Sequence, residues 1–226
     1  MRTGSRLQQA KEALESSFLL AAPTTDWPYL LMGIIPVFFE DFLVDIRPEA
    51  ILRAVGNLSR TEHPEFSRPT YTFDGLERRE NRDEYTVTFH RSGLLNSSLQ
   101  LPLIPQLNGA ENLHIFHITA IDVLLRRFVL KAGGAYEAAG VAAPFVLGMM
   151  LRTRERLFGA FAEFAGIEEH TTPVPAKDYR FPYMQVDDIS ATDKAIRPLC
   201  DQAHQMFGRV GSPSFNAEGV WVARYA

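Results

Sequence analysis

The run Tyr85–His90 leaves this chain little choice of local structure. Tyr85, Val87 and Phe89 alternate with Thr86, Thr88 and His90, and a period of two places one set on each side of a pleated strand. Turn signals bracket the run. Asp74-Gly75 stands between Tyr71-Thr72-Phe73 and Leu76-Glu77-Arg78-Arg79, and Gly takes a positive φ at little cost. Ser92-Gly93 then sends the chain back through Leu94–Leu103. This spacing predicts an antiparallel β-meander. Its aromatic residues Tyr71, Phe73, Tyr85 and Phe89 are expected to form the core face rather than a platform on which bases stack.

Helical patterns surround the meander. Leu7, Ala10, Leu14 and Phe18 follow helical spacing within Ser5–Leu20, opposite Lys11 and Glu15, and Pro23 ends the segment. Pro48 opens a short helix, Glu49–Leu58, with Ile51, Leu52 and Val55 inward. The longest helix is expected from Ile118 to Ala139, since Ile118, Ile121, Leu125, Phe128, Ala132, Ala135 and Ala139 share one stripe. Gly133-Gly134 inside it costs about 1 kcal/mol per residue relative to Ala, which predicts a kink or a close backbone neighbour. Gly140 is the expected stop. Trp27–Val37, bracketed by prolines, and Phe145–Leu151 read as buried strands, and Tyr183–Ile189 as a short one. Asp193 is expected to cap a last helix, Ala195–Phe207, stopped by Gly208, with a terminal strand at Val220–Val222. Helices interleaved with hairpins predict an α+β fold with an antiparallel or mixed sheet. The expected organisation is an N-terminal helical arm, residues 1–26, and one α+β domain, residues 27–226.

At 226 residues, 46% hydrophobic and 22% charged, the chain is long and apolar enough to bury a sizeable core. Its apolar stretches Leu30–Phe39 and Ala142–Leu151 are too short to span a bilayer, so no membrane is expected. Lys11, Glu12 and Glu15 interrupt the N-terminal pattern, unlike a signal peptide. The single Cys200 cannot form an internal disulfide. A cytoplasmic location follows as the expectation, and the sequons at Asn57 and Asn96 carry no weight. A net charge of −4 argues against a phosphate-tracking domain.

No motif for catalysis is complete. His114 and His117 form an H-x-x-H pair which on a helix would share one face, but Glu111 is the only nearby carboxylate and a third ligand is missing. Glu168-Glu169-His170 and Asp187-Asp188 read as solvated loop charge, because sequence neighbours on a strand diverge. Cys200 and His204 lie four residues apart on one helix, yet nothing in the pattern supplies an oxyanion site, so the thiol is expected to be buried. Glycine signatures of nucleotide binding and the nucleophile elbow are missing. No metal and no cofactor are therefore expected.

Several segments, taken in order, carry a resemblance. They are Leu30–Pro36, Thr72–Leu76, Glu84–Leu95, Tyr136 with Gly140 and Pro144, Ile196–Asp201, Phe207-Gly208, Ser212-Pro213 and Gly219-Val220-Trp221. From Leu30 onward the chain resembles the C-terminal region that follows the Schlafen AlbA-like domain in bacterial proteins, often described as DNA-binding or ATP-binding regulators. About 30 residues precede the resemblance, so the AlbA-like domain itself is expected to be missing. Cys200 and His204 stand where that family carries Phe and Trp in the last helix. The resemblance implies no catalytic residues, and a DNA-binding role would belong to the missing domain.

The leading expectation is a non-enzymatic accessory module of a regulator: a sensor, a partner-binding domain or an oligomerisation domain, with a homo-oligomer or a protein as partner. A nucleic-acid-binding protein is the alternative, resting on Arg78, Arg79 and Arg82 and on Arg152, Arg154 and Arg156. A further alternative is a small-ligand or metal-binding pocket near His114 and His117, with Tyr136 and the Gly133-Gly134 bend.

Overall fold

β1 (Tyr29–Pro36) is buried at every position, which a strand achieves only when both faces of its sheet are covered. The computed structural model describes residues 2–21, 25–59, 68–80, 84–104, 114–162, 168–170 and 173–222. β1 pairs antiparallel with β7 (Phe145–Thr153) on one side and β5 (Leu95–Gln100) on the other. Beyond β5 the predicted meander continues through β4 (Tyr85–His90) and β3 (Gly75–Glu80) to the two-residue edge strand β2 (Thr70–Tyr71). Beyond β7 lie β10 (Lys177–Arg180) and β11 (Met184–Val186), both paired to it. Every pairing in this sheet is antiparallel. A smaller sheet sets β6 (His114–His117) parallel to β8 (Leu157–Ala162), with β9 (Glu168–His170) antiparallel beyond. Together with four helices among the described residues, this is an α+β architecture.

The main core lies on the face covered by α2 (Glu49–Gly56), α3 (Thr119–Ala139) and α4 (Thr192–Met206). Leu30, Met32 and Ile34 of β1 meet Leu76, Val87, Phe89 and Leu95 of the meander there, with Leu125, Phe128 and Tyr136 of α3 above them. The opposite face is covered only in part. There α1 (Arg2–Ala21), the segment expected as an arm, buries Ala10, Leu14 and Phe18 on Leu31, Ile35, Val146 and Met150. Each fully buried Leu or Phe contributes about 1.5–3 kcal/mol relative to exposure. The seat of α1 depends on a cross-strand glycine pair, Gly33 opposite Gly148. A Cβ at Gly33 would lie 2.6 Å from Leu14 Cδ2 and 3.0 Å from Phe18 Cε1, and one at Gly148 would lie 3.3 Å from Phe18 Cε2. The two side-chain-free positions thus form a socket that seats the Phe18 ring between Leu14, over Gly33, and Tyr183, whose Cε1 would lie 2.8 Å from a Cβ at Gly148.

Several local expectations are corrected. Gly75 does not use a positive φ; a Cβ there would collide with the Phe89 carbonyl oxygen and approach His90 Cα to 2.8 Å. It is a close-approach glycine at the start of β3. α3 runs through Gly133 and Gly134 without a break, and a Cβ at Gly133 would meet only the Ile189 side chain, at 3.5 Å. Asp193 is no cap: α4 begins after Ala191 without a side-chain cap, and Asp193 pairs with Arg126 at 2.8 Å instead. Val220–Val222 forms no strand, only the single bridge between Phe215 and Trp221. Tyr71 and Phe73 do not join the core, whereas Tyr85 and Phe89 do, because β2 ends at Tyr71 and the turn carries Phe73 outward.

Candidate functional site

The alternation that defined β4 also dictates what lies on its other side. Thr86, Thr88 and His90 project away from the core, and the register sets Thr88 opposite Asn96 and Thr86 opposite Ser98 of β5. On the far side Glu77 lies opposite Thr88 and Arg79 opposite Thr86. α1 covers β1 and β7 on this face but stops short of β4 and β3, so these side chains floor a cleft whose wall is α1 at Ser16, Ser17 and Leu20. The cleft encloses about 720 Å³. A second cavity of about 650 Å³ adjoins it, sharing Thr72, Asp74 and His90 and extending to Asp41, Phe42, Phe73 and Arg91. Both volumes fall within the range of small-ligand sites.

Formal charge in the floor is self-compensated. The Arg79 guanidinium donates to Glu77 Oε1 at 2.6 Å. Burial lowers the pKa of the His90 imidazole below its ordinary value, against the opposing pull of Asp74, Asn96 and Glu77. The ring is neutral near pH 7 and offers one donor and one acceptor. Asn96 and Ser98 are almost wholly buried. Ser98 Oγ and His90 Nε2 are buried without a hydrogen-bond partner among the described residues. Such orphaned groups cost roughly 1–3 kcal/mol each and are uncommon in folded chains. No cleft hydroxyl among the described residues is hydrogen-bonded to His90 as a nucleophile would be to its base. The arrangement suits binding through hydrogen bonds.

The residues singled out by sequence lie elsewhere and apart. His114 and His117 sit on β6, where a separation of three puts them on opposite faces rather than on one. His114 Nε2 is 3.7 Å from Glu155 Oε2 and its ring lies against Trp27 at 5.8 Å between centroids. Tyr136 is on α3, 17 residues beyond the first residue of the helix, Thr119, a helical span of about 25 Å at 1.5 Å per residue. Its buried hydroxyl lies 2.8 Å from the Ile34 carbonyl and 3.0 Å from that of Gly93, tying α3 to the sheet. None of the three lines either of the cavities described above. Among the arginines, Arg78 points into the core and pairs with Glu80 at 2.6 Å. Arg152 is buried and held bidentately by Asp178, both distances being 2.8 Å. Arg79 is exposed but spent on Glu77. Arg154 and Arg156 are exposed in the turn after β7, and Arg82 and Glu111 lie outside the described residues. Arg78 and Arg152 therefore form no basic surface with the others.

Cys200 is buried, and burial beside Asp122 pushes its thiol pKa well above the usual value, the opposite of nucleophile activation. His204 Nε2 lies 2.9 Å from Asp122 Oδ2, which also accepts hydrogen bonds from Ser212 Oγ at 2.6 Å and Ser214 Oγ at 2.7 Å. This buried cluster staples the C-terminal segment to α3 and α4. Among the described residues no group of three or more His, Cys, Asp or Glu side chains is placed to hold a metal ion.

Thr86, Thr88 and His90 are visible in sequence as the polar half of an alternating strand. Asn96 and Ser98 are not, because Asn96-Ser97-Ser98 is polar throughout, and only the pairing of β5 with β4 separates them from Ser97. Among the described residues no helix is long and apolar enough to cross a membrane. Comparison of the chain with protein-family models, with curated proteins and with solved structures finds no match.

Proposed function

We propose that this chain is a non-enzymatic accessory module, a sensor that binds a ligand in the β3–β5 cleft and acts through a protein partner or an attached domain. The observation that carries the reading is the uncovered polar face itself. An antiparallel sheet whose other face is fully packed leaves Ser98 Oγ and His90 Nε2 unpartnered in the floor of a 720 Å³ cleft, a cost that a bound ligand offsets. The raised thiol pKa of Cys200 weighs against nucleophilic catalysis at that residue. The interior ion pairs of Arg78 and Arg152 weigh against a nucleic-acid face built on them. The resemblance to the region following the Schlafen AlbA-like domain fits an accessory role.

The test compares thermal stability of the chain with that of a Thr88→Trp variant, in which the indole fills the cleft, against saccharides, nucleotides and short peptides. A ligand at a hundred times its Kd adds about 2.7 kcal/mol, a rise in Tm of roughly 5–10 °C for a domain of this size. Stabilisation present in the parent and lost in the variant is the expected result. Ligands that stabilise both proteins equally, or none that stabilise either, would overturn the assignment.

A further inference from the structure

We propose that the ligand of this cleft is a neutral polyhydroxylated molecule, an oligosaccharide, hydrogen-bonded to the floor of β4 and β5 and stacked on Phe73 and Phe42; the proposal rests on the binding reading above. The floor is built from groups that both donate and accept. The Thr86, Thr88 and Ser98 hydroxyls, the Asn96 amide and the neutral His90 ring face the cleft, and each can be donor to one ligand atom and acceptor from another. Sugar hydroxyls have the same dual character, so a saccharide satisfies this floor in several ways. Phosphates and ammonium groups are one-sided, and a floor made for them would show an excess of one charge.

Charge and ring placement narrow the choice further. Glu77 and Arg79 neutralise each other at 2.6 Å. The rim then holds Asp41 and Asp74 against Arg91, carboxylates that repel a phosphate backbone and a guanidinium that repels a cationic peptide. Phe73 is 96% exposed and Phe42 81% exposed, both lining the adjoining cavity. Apolar rings held in water beside a polar cleft mark a contact surface, and the carbon face of a pyranose stacks on such rings while its hydroxyls reach the polar floor. Base stacking on the sheet fits less well, because the floor positions of β4 are Thr86, Thr88 and His90 where a base-binding sheet carries aromatic rings.

The test is a ¹⁵N-edited NMR titration of the full chain with cellotriose, maltotriose and chitotriose, with a lysine-rich peptide and an oligothymidylate as competing classes. At least one saccharide is expected to shift the amides of Thr86, Thr88, Asn96, Ser98 and Phe73 together. Phe73→Ala is expected to weaken that binding about tenfold, and Thr88→Val, which removes only a hydroxyl, about fivefold. Neither change enters the core, and undisturbed amides around Tyr136 confirm the fold. Shifts at the cleft with the peptide or the oligonucleotide and with no saccharide refute the ligand class while leaving the module reading intact. No shift at the cleft with any of them refutes both.

Discussion

Replacing Asp122 with alanine is expected to remove roughly 3–5 kcal/mol of stability, the range for breaking one member of a buried charged cluster. The figure follows from the geometry. Asp122 has 0% exposure, and its Oδ2 is the shared acceptor for His204 Nε2, Ser212 Oγ and Ser214 Oγ. Truncation strands three donors, each costing about 1–3 kcal/mol when buried and unsatisfied. Two circumstances hold the total to the lower part of that sum. Ser212 Oγ keeps its bond from the Ser214 amide at 3.1 Å, and the space vacated is polar enough to admit a water. Asp122→Asn preserves the shape but turns half of the acceptor into a donor among donors. It also loses a carboxylate from the first turn of α3, where the helix dipole favours negative charge; its expected cost is about 2 kcal/mol. Urea unfolding with an unchanged m-value measures both. Hydrogen exchange adds a local readout, because the Ser214 and Val222 amides bond to Ser212 Oγ and to the Ser214 carbonyl and should lose protection before the β1–β7 ladder does. A loss under about 1 kcal/mol for the alanine variant would show that the three hydroxyl and imidazole groups find other partners, and the reasoning would fail.

Gly33→Ala is expected to cost about 1–3 kcal/mol through overpacking, since the added Cβ would sit 2.6 Å from Leu14 Cδ2; α1 should become sensitive to limited proteolysis, and wild-type resistance with unchanged urea stability would contradict the socket. His90 gives a pH signature. Its folded-state pKa is lowered from 6.5 by burial, so as pH falls the unfolded chain takes up the proton first and stability declines from about pH 7 down through the folded pKa, below which this contribution levels off. His90→Asn should flatten that part of the stability profile, and a profile that rises on acidification in the parent relative to the variant would refute the assignment.

Much of the fold was legible because it is written in backbone periods. A strand shows two faces and a helix one stripe, so Tyr85–His90 announced β4 and the stripe from Ile121 to Ala135 announced α3 within a residue or two. Where sequence and structure differ, the cause is common. The turn signal at Asp74-Gly75 speaks of φ alone, yet Gly75 is needed for the approach of the Phe89 carbonyl from the next strand. A cap at Asp193 is a local property, yet its carboxylate is claimed by Arg126 from another helix. Helical spacing puts His114 and His117 on one face, but β6 is a strand because it adds to β8 of the small sheet. The cleft was half legible: the polar side of β4 could be named, whereas that of β5, and the exposure of both, could not.

What the sequence determined by itself is which side of each element is apolar, since pleat and helix pitch are properties of the backbone and hold without any neighbour. Which apolar side meets which partner was decided only by the tertiary structure. Phe18 of α1 settles over Gly33 and Gly148, residues far from each other along the chain, because there two paired strands both lack side chains to hold a ring away. That one placement covers β1 and β7 and leaves Thr86, Thr88 and His90 part-exposed, with the more deeply set Asn96 and Ser98 lining the same cleft. The candidate site exists because packing chose the glycine pair.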